Sequence, residues 1–304
     1  MTAVTTSRMR GPLTWLVILV VLVALMGIAS ALTGPGGVKL QGVLWLLFTA
    51  IAAVAIYAVY FATRDHAIWA VGTREVVYMA IGAALYGVLN WIFNTIPMPS
   101  VSLVALRPSI VIPVFFGYVF GPVVGFFTGA VGNIIGDFLT GWGVFPVWDI
   151  GNGLIGFVTG LVGLFADKRQ SLNVLTVIVA IGVIIAMALI FIQPRVPHPF
   201  TGEETDFTGF AWVFLVAGVL AIGARFLLER FGVDVAAVEV WGALGILIGI
   251  GFAAIADIWI NGYTFFVAMV GEFAPAAGPN IVNSAILTPI LLGAYQAVQA
   301  RTGR

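Results

Sequence analysis

The sequence predicts an all-α polytopic membrane protein, and three observations carry that prediction. Of its 304 residues, 61% are hydrophobic and only 9% are charged, for a mean hydropathy of +1.12. A water-soluble globule needs far more polar surface than this. The apolar residues fall in repeated runs of about 17 to 25, the length that crosses a bilayer as a helix. Polar residues gather at the ends of those runs, where an ionisable group costs least.

The first run, 13–32, follows Arg8 and Arg10. Its length of about 20 residues fits a retained membrane helix better than the short core of a signal peptide, although Ala29 and Ala31 form an A-x-A-like pattern. Further helices are expected near 43–62, 75–93, 122–140, 151–166, 173–193, 209–228, 240–260 and 280–298. The run 109–120 is too short for a full span. Pro108 and Pro113 flank and interrupt it, and Gly121-Pro122 forces a turn after it, so it is expected to pack inside protein. Counting it as a crossing puts Arg8, Arg10, Arg64, Arg74, Lys168, Arg169, Arg225, Arg230, Arg301 and Arg304 on one face. The positive-inside rule makes that face cytoplasmic. The expectation is ten crossings of the cell (plasma) membrane with both termini inside. Loops 94–108, 141–150, 194–208 and 261–279 then lie outside, where Lys39, Arg107 and Arg195 are exceptions to the charge bias.

Several classes of function are excluded. A net charge of zero without a long basic run argues against nucleic acid. With no cysteine there is no disulfide and no thiol chemistry. The stretch GNGLIG at 151–156 has dinucleotide-fingerprint spacing, but it opens a membrane helix instead of following a buried strand. His66 and His198 stand alone in loops and offer no metal pair. No nucleophile is assembled with a base, so neither an enzyme nor a cofactor is expected.

The candidate site residues are Arg107, Asn133, Asp137, Trp142, Trp148, Asp149, Asn152, Asp257 and Asn280, all near the outer ends of apolar runs. Asn133 and Asp137 share a helix face by i,i+4 spacing. Gly125, Gly129, Gly132 and Gly136 run along the same helix as a small-residue stripe that lets a neighbour approach closely. Asp149, Asn152 and Asn280 stand where helices are expected to start, so N-capping is the alternative role for each. Trp142 and Trp148 are either interfacial belt residues or a stacking wall for a flat or cationic ligand. Tyr263 and Glu272, on the expected loop 261–279, are either surface residues or a cover over that ligand. Three acids against one arginine lean toward a cationic or donor-rich ligand, a lean that protonation of a buried acid would weaken.

With these residues in view, the chain resembles the substrate-binding S component of energy-coupling factor (ECF) vitamin transporters. The resemblance lies in EVVYMAIGAALYGVLNW, in LRPSIVIPVFFGYVFGPVVGFFTGAVGNIIGDFLTG, in VWDIGNGLIGFVTGLVG and in NIVNSAILTPILLGAY, across 75–166 and 240–298. FGPVVGFFTGAVGNIIGD is its most specific phrase. The resemblance implies a six-segment helical core that binds a vitamin-like, aromatic heterocyclic solute at the outer face. Thiamine-, pyrimidine-, flavin- and nucleoside-like ligands all stay open. It also implies partners on other chains: a transmembrane coupling protein and two cytosolic ATPase subunits. Ala80 and Ala84 match the small-x-x-x-small motif through which such cores dock the coupling protein.

The departure from the family is four extra helices. The expected organisation is an accessory hairpin at 1–70, core at 71–170, a second accessory hairpin at 171–235 and the rest of the core at 236–304. Two other classes compete with an ECF binding subunit. An ion-coupled secondary transporter would use the intramembrane carboxylates without ATPase partners. An intramembrane enzyme acting on lipid needs a nucleophile that the sequence does not show.

Overall fold

The computed structural model describes residues 40–302, with side chains from residue 43 onward. The expected helix 13–32 lies outside the described residues, and so does one of the ten expected crossings. Among the described residues, eight helices are long and apolar enough to span a membrane.

In chain order the helices are α1 (Leu40–Thr63), α2 (Thr73–Phe93), α3 (Pro108–Phe120), α4 (Pro122–Thr140), α5 (Pro146–Leu164), α6 (Lys168–Ile192), α7 (Thr208–Leu228), α8 (Val233–Ile260) and α9 (Phe265–Thr302). A short antiparallel hairpin, β1 (Arg195–Pro197) with β2 (Glu204–Asp206), joins α6 to α7. Two compact units result: one holds 40–65 with 259–262, the other 66–258 with 263–302. The larger unit carries the candidate site.

The ends of α3 follow from its prolines and glycine. Pro108 opens it at a position where a missing N–H costs nothing. Gly121, at φ 97°, turns the chain directly into Pro122 of α4. Of the 13 residues from 108 to 120, the middle is buried throughout, as a short segment at membrane depth requires.

Glycines then set the distances between helices. A Cβ on Gly125 of α4 would stand 2.4 Å from the Gly156 carbonyl oxygen of α5, and one on Gly129 would stand 2.1 Å from that of Asn152. Farther along α4 the partner changes. A Cβ on Gly132 or Gly136 would meet the Cβ of Tyr86 or Asn90 on α2, at 2.8 and 2.4 Å. The stripe is a packing seam that serves two neighbours in succession. The glycines of GNGLIG are spent in the same way: Gly151 approaches Gly249 of α8, and Gly156 approaches α4.

Three boundaries correct the sequence expectation. α5 begins at Pro146, not 151, because proline is suited to the first helical turn; Asp149 and Asn152 therefore lie within the helix. α8 begins at residue 233, not 240. The largest change concerns 261–279, expected as an outer loop. Only a short turn at 261–264 remains, and α9 runs from Phe265 through Pro275 and Pro279 to Thr302.

Pro275 explains how that helix survives. It has no N–H for the carbonyl of Gly271, four residues earlier, and its ring crowds that carbonyl. The backbone widens into a π-helical turn at Met269–Phe273, and Gly271 O accepts the Val101 N–H at 2.9 Å instead. Asn280, expected at a helix start, is consequently buried in the interior of α9.

The two ends of the larger unit differ in charge. At one end Lys168 pairs with Asp234, whose carboxylate also accepts from Tyr118 at 2.8 Å, while Tyr295 packs near Phe120. There too Arg225 is buried, donating to Asn173 at 2.7 Å, Thr176 at 2.9 Å and Glu229 at 3.0 Å. The helix ends at the opposite pole hold the candidate site.

Replacing Gly129 by Ala should lower the thermal midpoint of the purified protein by an amount equivalent to about 1–3 kcal/mol, since backbone cannot give way as a side chain can. Gly209→Ala, where an added Cβ meets nothing within 4 Å, should leave the midpoint unchanged or slightly raised.

Candidate functional site

The site grows from one face of α2. Tyr86, Asn90 and Asn94 recur at four-residue spacing there, all three buried. The glycine contacts of α4 bring Asn133 and Asp137 against them, and α5 supplies Asp149 and Asn152. Arg107 enters from the loop that precedes α3.

Arg107 is the organising group. Its guanidinium donates to Asn94 Oδ1 at 3.2 Å, to Asn133 Oδ1 at 2.6 Å and to Asp137 Oδ1 at 3.0 Å. Its side chain is only 11% exposed and that of Asp137 only 4%, so this ion pair is largely desolvated. A buried pair of this kind holds only when its remaining donors and acceptors are met. Here they are met by Asn94, which donates to Asp137 at 3.2 Å and to Thr140 at 2.9 Å, and by Asn133, which donates to Asp137 Oδ2 at 2.9 Å.

Asn133 is the junction of the network. Its amide also donates to Asp149 Oδ1 at 2.8 Å, which joins α4 to α5. Its oxygen receives a longer bond from Asn90 at 3.3 Å, and Ser109 fixes Asn90 by donating to its oxygen at 2.6 Å. On the next turn of α5, Tyr86 donates to Asn152 Oδ1 at 2.6 Å while Asn152 donates to the Trp148 carbonyl at 2.9 Å. Trp148 in turn donates its indole N–H to Asp257 Oδ2 of α8 at 2.8 Å. Trp142 lies at the rim with the Arg107 guanidinium 5.9 Å from its ring centre, at the outer limit of a cation–π contact.

Arg107, Asn133, Asp137 and Asp149 therefore form one hydrogen-bonded cluster with Asn90 and Asn94, and Asn152 belongs to the neighbouring chain of bonds from Tyr86 through Trp148 to Asp257. The two meet on α5, where Trp148 directly precedes Asp149, and Trp142 faces the arginine. Asn280 is buried in α9, and no hydrogen bond among the described residues ties it to the cluster. The capping alternative for Asp149 does not hold, because its own N–H bonds the Phe145 carbonyl at 2.8 Å inside the first turn of α5.

Sequence reading missed Tyr86, Asn90, Asn94 and Ser109. The signal was present in the four-residue recurrence on α2, the same spacing that singled out Asn133 and Asp137. One atom of the cluster stands apart: Asp149 Oδ2 is buried and has no hydrogen-bond partner. In a network otherwise this complete, a lone buried acceptor marks where a donor from a ligand gains most.

Residues 70–205 match the family model for the S component of the ECF-type riboflavin transporter. This stretch is therefore similar to an S-component domain. It contains the Arg107 cluster together with Tyr86, Trp148 and Asn152, whereas Asp257 and Asn280 lie beyond it. The S-component match also runs past residue 170 into α6 and the β hairpin, a region expected to be accessory. α6 packs on α7, α7 packs on α9, and a Cβ on Gly182 of α6 would meet Leu247 of α8 at 2.8 Å.

Among curated proteins, a UPF0397 protein of Vibrio atlanticus is 38% identical over 99 residues, 32% of this chain and 52% of that protein. A UPF0397 protein of Aliivibrio salmonicida is 35% identical over 99 residues, 32% of this chain and 51% of that protein. The chain thus spans about half the length of the curated relatives it matches. No solved structure matches it at comparable significance.

Arg107→Met should lower the thermal midpoint by the equivalent of about 3–5 kcal/mol, because it strands the Asp137 carboxylate in a buried site. Adding Asp137→Asn should restore much of that loss, so the double-mutant cycle should show strong coupling. Additive losses would mean that the two side chains do not work as a pair.

Proposed function

We propose that this chain is the membrane-embedded substrate-binding subunit of an ECF-type importer, capturing a vitamin-like aromatic heterocycle at the outer membrane face. The observation that carries this reading is the buried cluster around Arg107, complete except for Asp149 Oδ2, at the pole opposite the basic helix ends. The positive-inside rule places such a pole outside. The ligand's donor would bond Asp149, and the rings of Trp142 and Trp148 supply apolar faces beside it. Cytoplasmic termini follow from the same rule.

Energy would come from other chains, a transmembrane coupling protein and two cytosolic ATPases. α2 suits docking to such a partner. Its buried face carries Gly82, Ala83 and Tyr86, whereas Ala80 and Ala84 lie on the exposed face with Val77, Ile81 and Val88. Small residues on an exposed apolar face let a partner helix come close within the bilayer.

One observation favours an ion-coupled carrier that needs no ATPase. Glu239 is fully buried in α8, and neither of its carboxylate oxygens has a hydrogen-bond partner. An acid so placed in a membrane helix is commonly kept for a proton or ion.

Mass spectrometry of the protein purified without added ligand distinguishes these readings. A binding subunit should carry a stoichiometric heterocycle that Asp149→Ala loses, and liposomes holding this chain alone should show no uptake. An empty preparation that transports under a proton or sodium gradient would sink the importer reading and establish the carrier.

A further inference from the structure

Solute capture at the outer pole leaves one buried acid of α8 without a task. Glu239 is fully buried, neither of its carboxylate oxygens has a hydrogen-bond partner, and no ion pair among the described residues includes it. Lys168 and Arg225, at the same end of the bundle, are committed to Asp234 and Glu229. A lone carboxylate so placed is costly unless a positive charge joins it.

What stands opposite Glu239 follows from how α8 packs on α9. The two helices are joined by the short turn 261–264 and run antiparallel. A Cβ on Gly251 of α8 would stand 3.8 Å from Phe273 of α9, and one on Gly242 would stand 2.8 Å from Ser284 Oγ. Stepping back along α8 therefore means stepping forward along α9. One further turn brings Glu239 level with Thr288, and its three-residue spacing from Gly242 puts it on the side of α8 turned toward Ser284.

That turn of α9 is rich in oxygen. Ser284 and Thr288 are fully buried and share a hydrogen bond at 3.2 Å, which uses one of their two hydroxyl protons and leaves lone pairs open. Pro289 follows directly. It has no N–H to give the Ala285 carbonyl, four residues earlier, so a backbone oxygen joins the two hydroxyls. Carboxylate and carbonyl oxygens suit hard cations, and interrupted membrane helices present such carbonyls to sodium. One acid balances one charge. Among the described residues no three His, Cys, Asp or Glu gather to hold a metal ion, so the place suits a monovalent cation and not a divalent one.

We propose that Glu239, Ser284, Thr288 and the Ala285 carbonyl form a buried site for one sodium ion between α8 and α9. It shares no residue with the Arg107 cluster and rests on neither reading of function. In a binding subunit the ion braces two helices; in a carrier it is the coupling ion.

The test is equilibrium dialysis of the full chain in nanodiscs against labelled sodium, with choline holding the ionic strength constant. Sodium should bind saturably at about one ion per chain, and Glu239→Gln should weaken it by about tenfold or more. Thr288→Val should weaken it less, through loss of one neutral ligand. Glu203→Gln, on the exposed hairpin, should leave binding unchanged. Sodium should raise the wild-type thermal midpoint by mass action and leave that of Glu239→Gln unmoved. In choline the variant's midpoint should be no lower than the wild type's, since an amide is cheaper to bury than a lone carboxylate. Dicyclohexylcarbodiimide, which modifies protonated carboxyl groups in apolar surroundings, reads the same site chemically: sodium should slow its reaction at Glu239, located by peptide mass spectrometry. Absence of saturable binding, with modification indifferent to sodium, would mean that the acid holds only a proton and would overturn the proposal. Wild-type sodium binding in Glu239→Gln would overturn it equally. Uptake by liposomes decides between importer and carrier and leaves this site untouched.

Discussion

The close approach of α4 to α5 is the constraint on which the site depends. Backbone meets backbone there, Gly125 against Gly156 and Gly129 against Asn152, at separations that no side chain could occupy. Between membrane helices there is little hydrophobic drive, so close dispersion contact and directional polar bonds must hold the helices together. The glycine contacts set the spacing at which the short amide of Asn133 reaches Asp149 on the facing helix. Shift the helices apart by one methyl group and that bond, with its 2.8 Å length, is lost. The α2 seam at Gly132 and Gly136 performs the same service for Asn90 and Asn94.

Given that spacing, electrostatics decides the rest. A guanidinium removed from water is tolerable only with its donors met, and Arg107 meets them with three partners drawn from two helices. The cost of burial is thereby converted into rigidity: each amide in the network has one orientation that satisfies its neighbours. Among the buried groups without partners, the carboxylate oxygens of Asp149, Glu239 and Glu272 stand out because acids are costly to bury. Loop 94–107 links the Arg107 cluster to α9. It carries Arg107 at one end, while the N–H of Val101 satisfies the carbonyl that Pro275 leaves open in α9.

Much of the site was legible in the sequence because charge is scarce in this chain. Asp137, Asp149 and Arg107 stand out against apolar runs, and the i,i+4 rule pairs Asn133 with Asp137. Asn90 and Asn94 obey the same rule but sit near tryptophan and phenylalanine in what reads as an ordinary span. The C-terminal third was the least legible. Prolines at 275 and 279 read as loop markers, and a local rule has no way to know that Val101, some 170 residues earlier, supplies the missing donor.

The sequence by itself determined that the chain lives in a membrane, where most of its helices run, and which few polar residues the apolar runs retain. Those properties are local, set by hydrophobic length, proline and glycine placement, and the cost of charge in lipid. Only the tertiary structure decided which polar groups satisfy one another and which are left without partners. Hydrogen-bond complementarity is a matter of ångströms between distant segments, and it exists only once the glycine seams have fixed how near the helices stand.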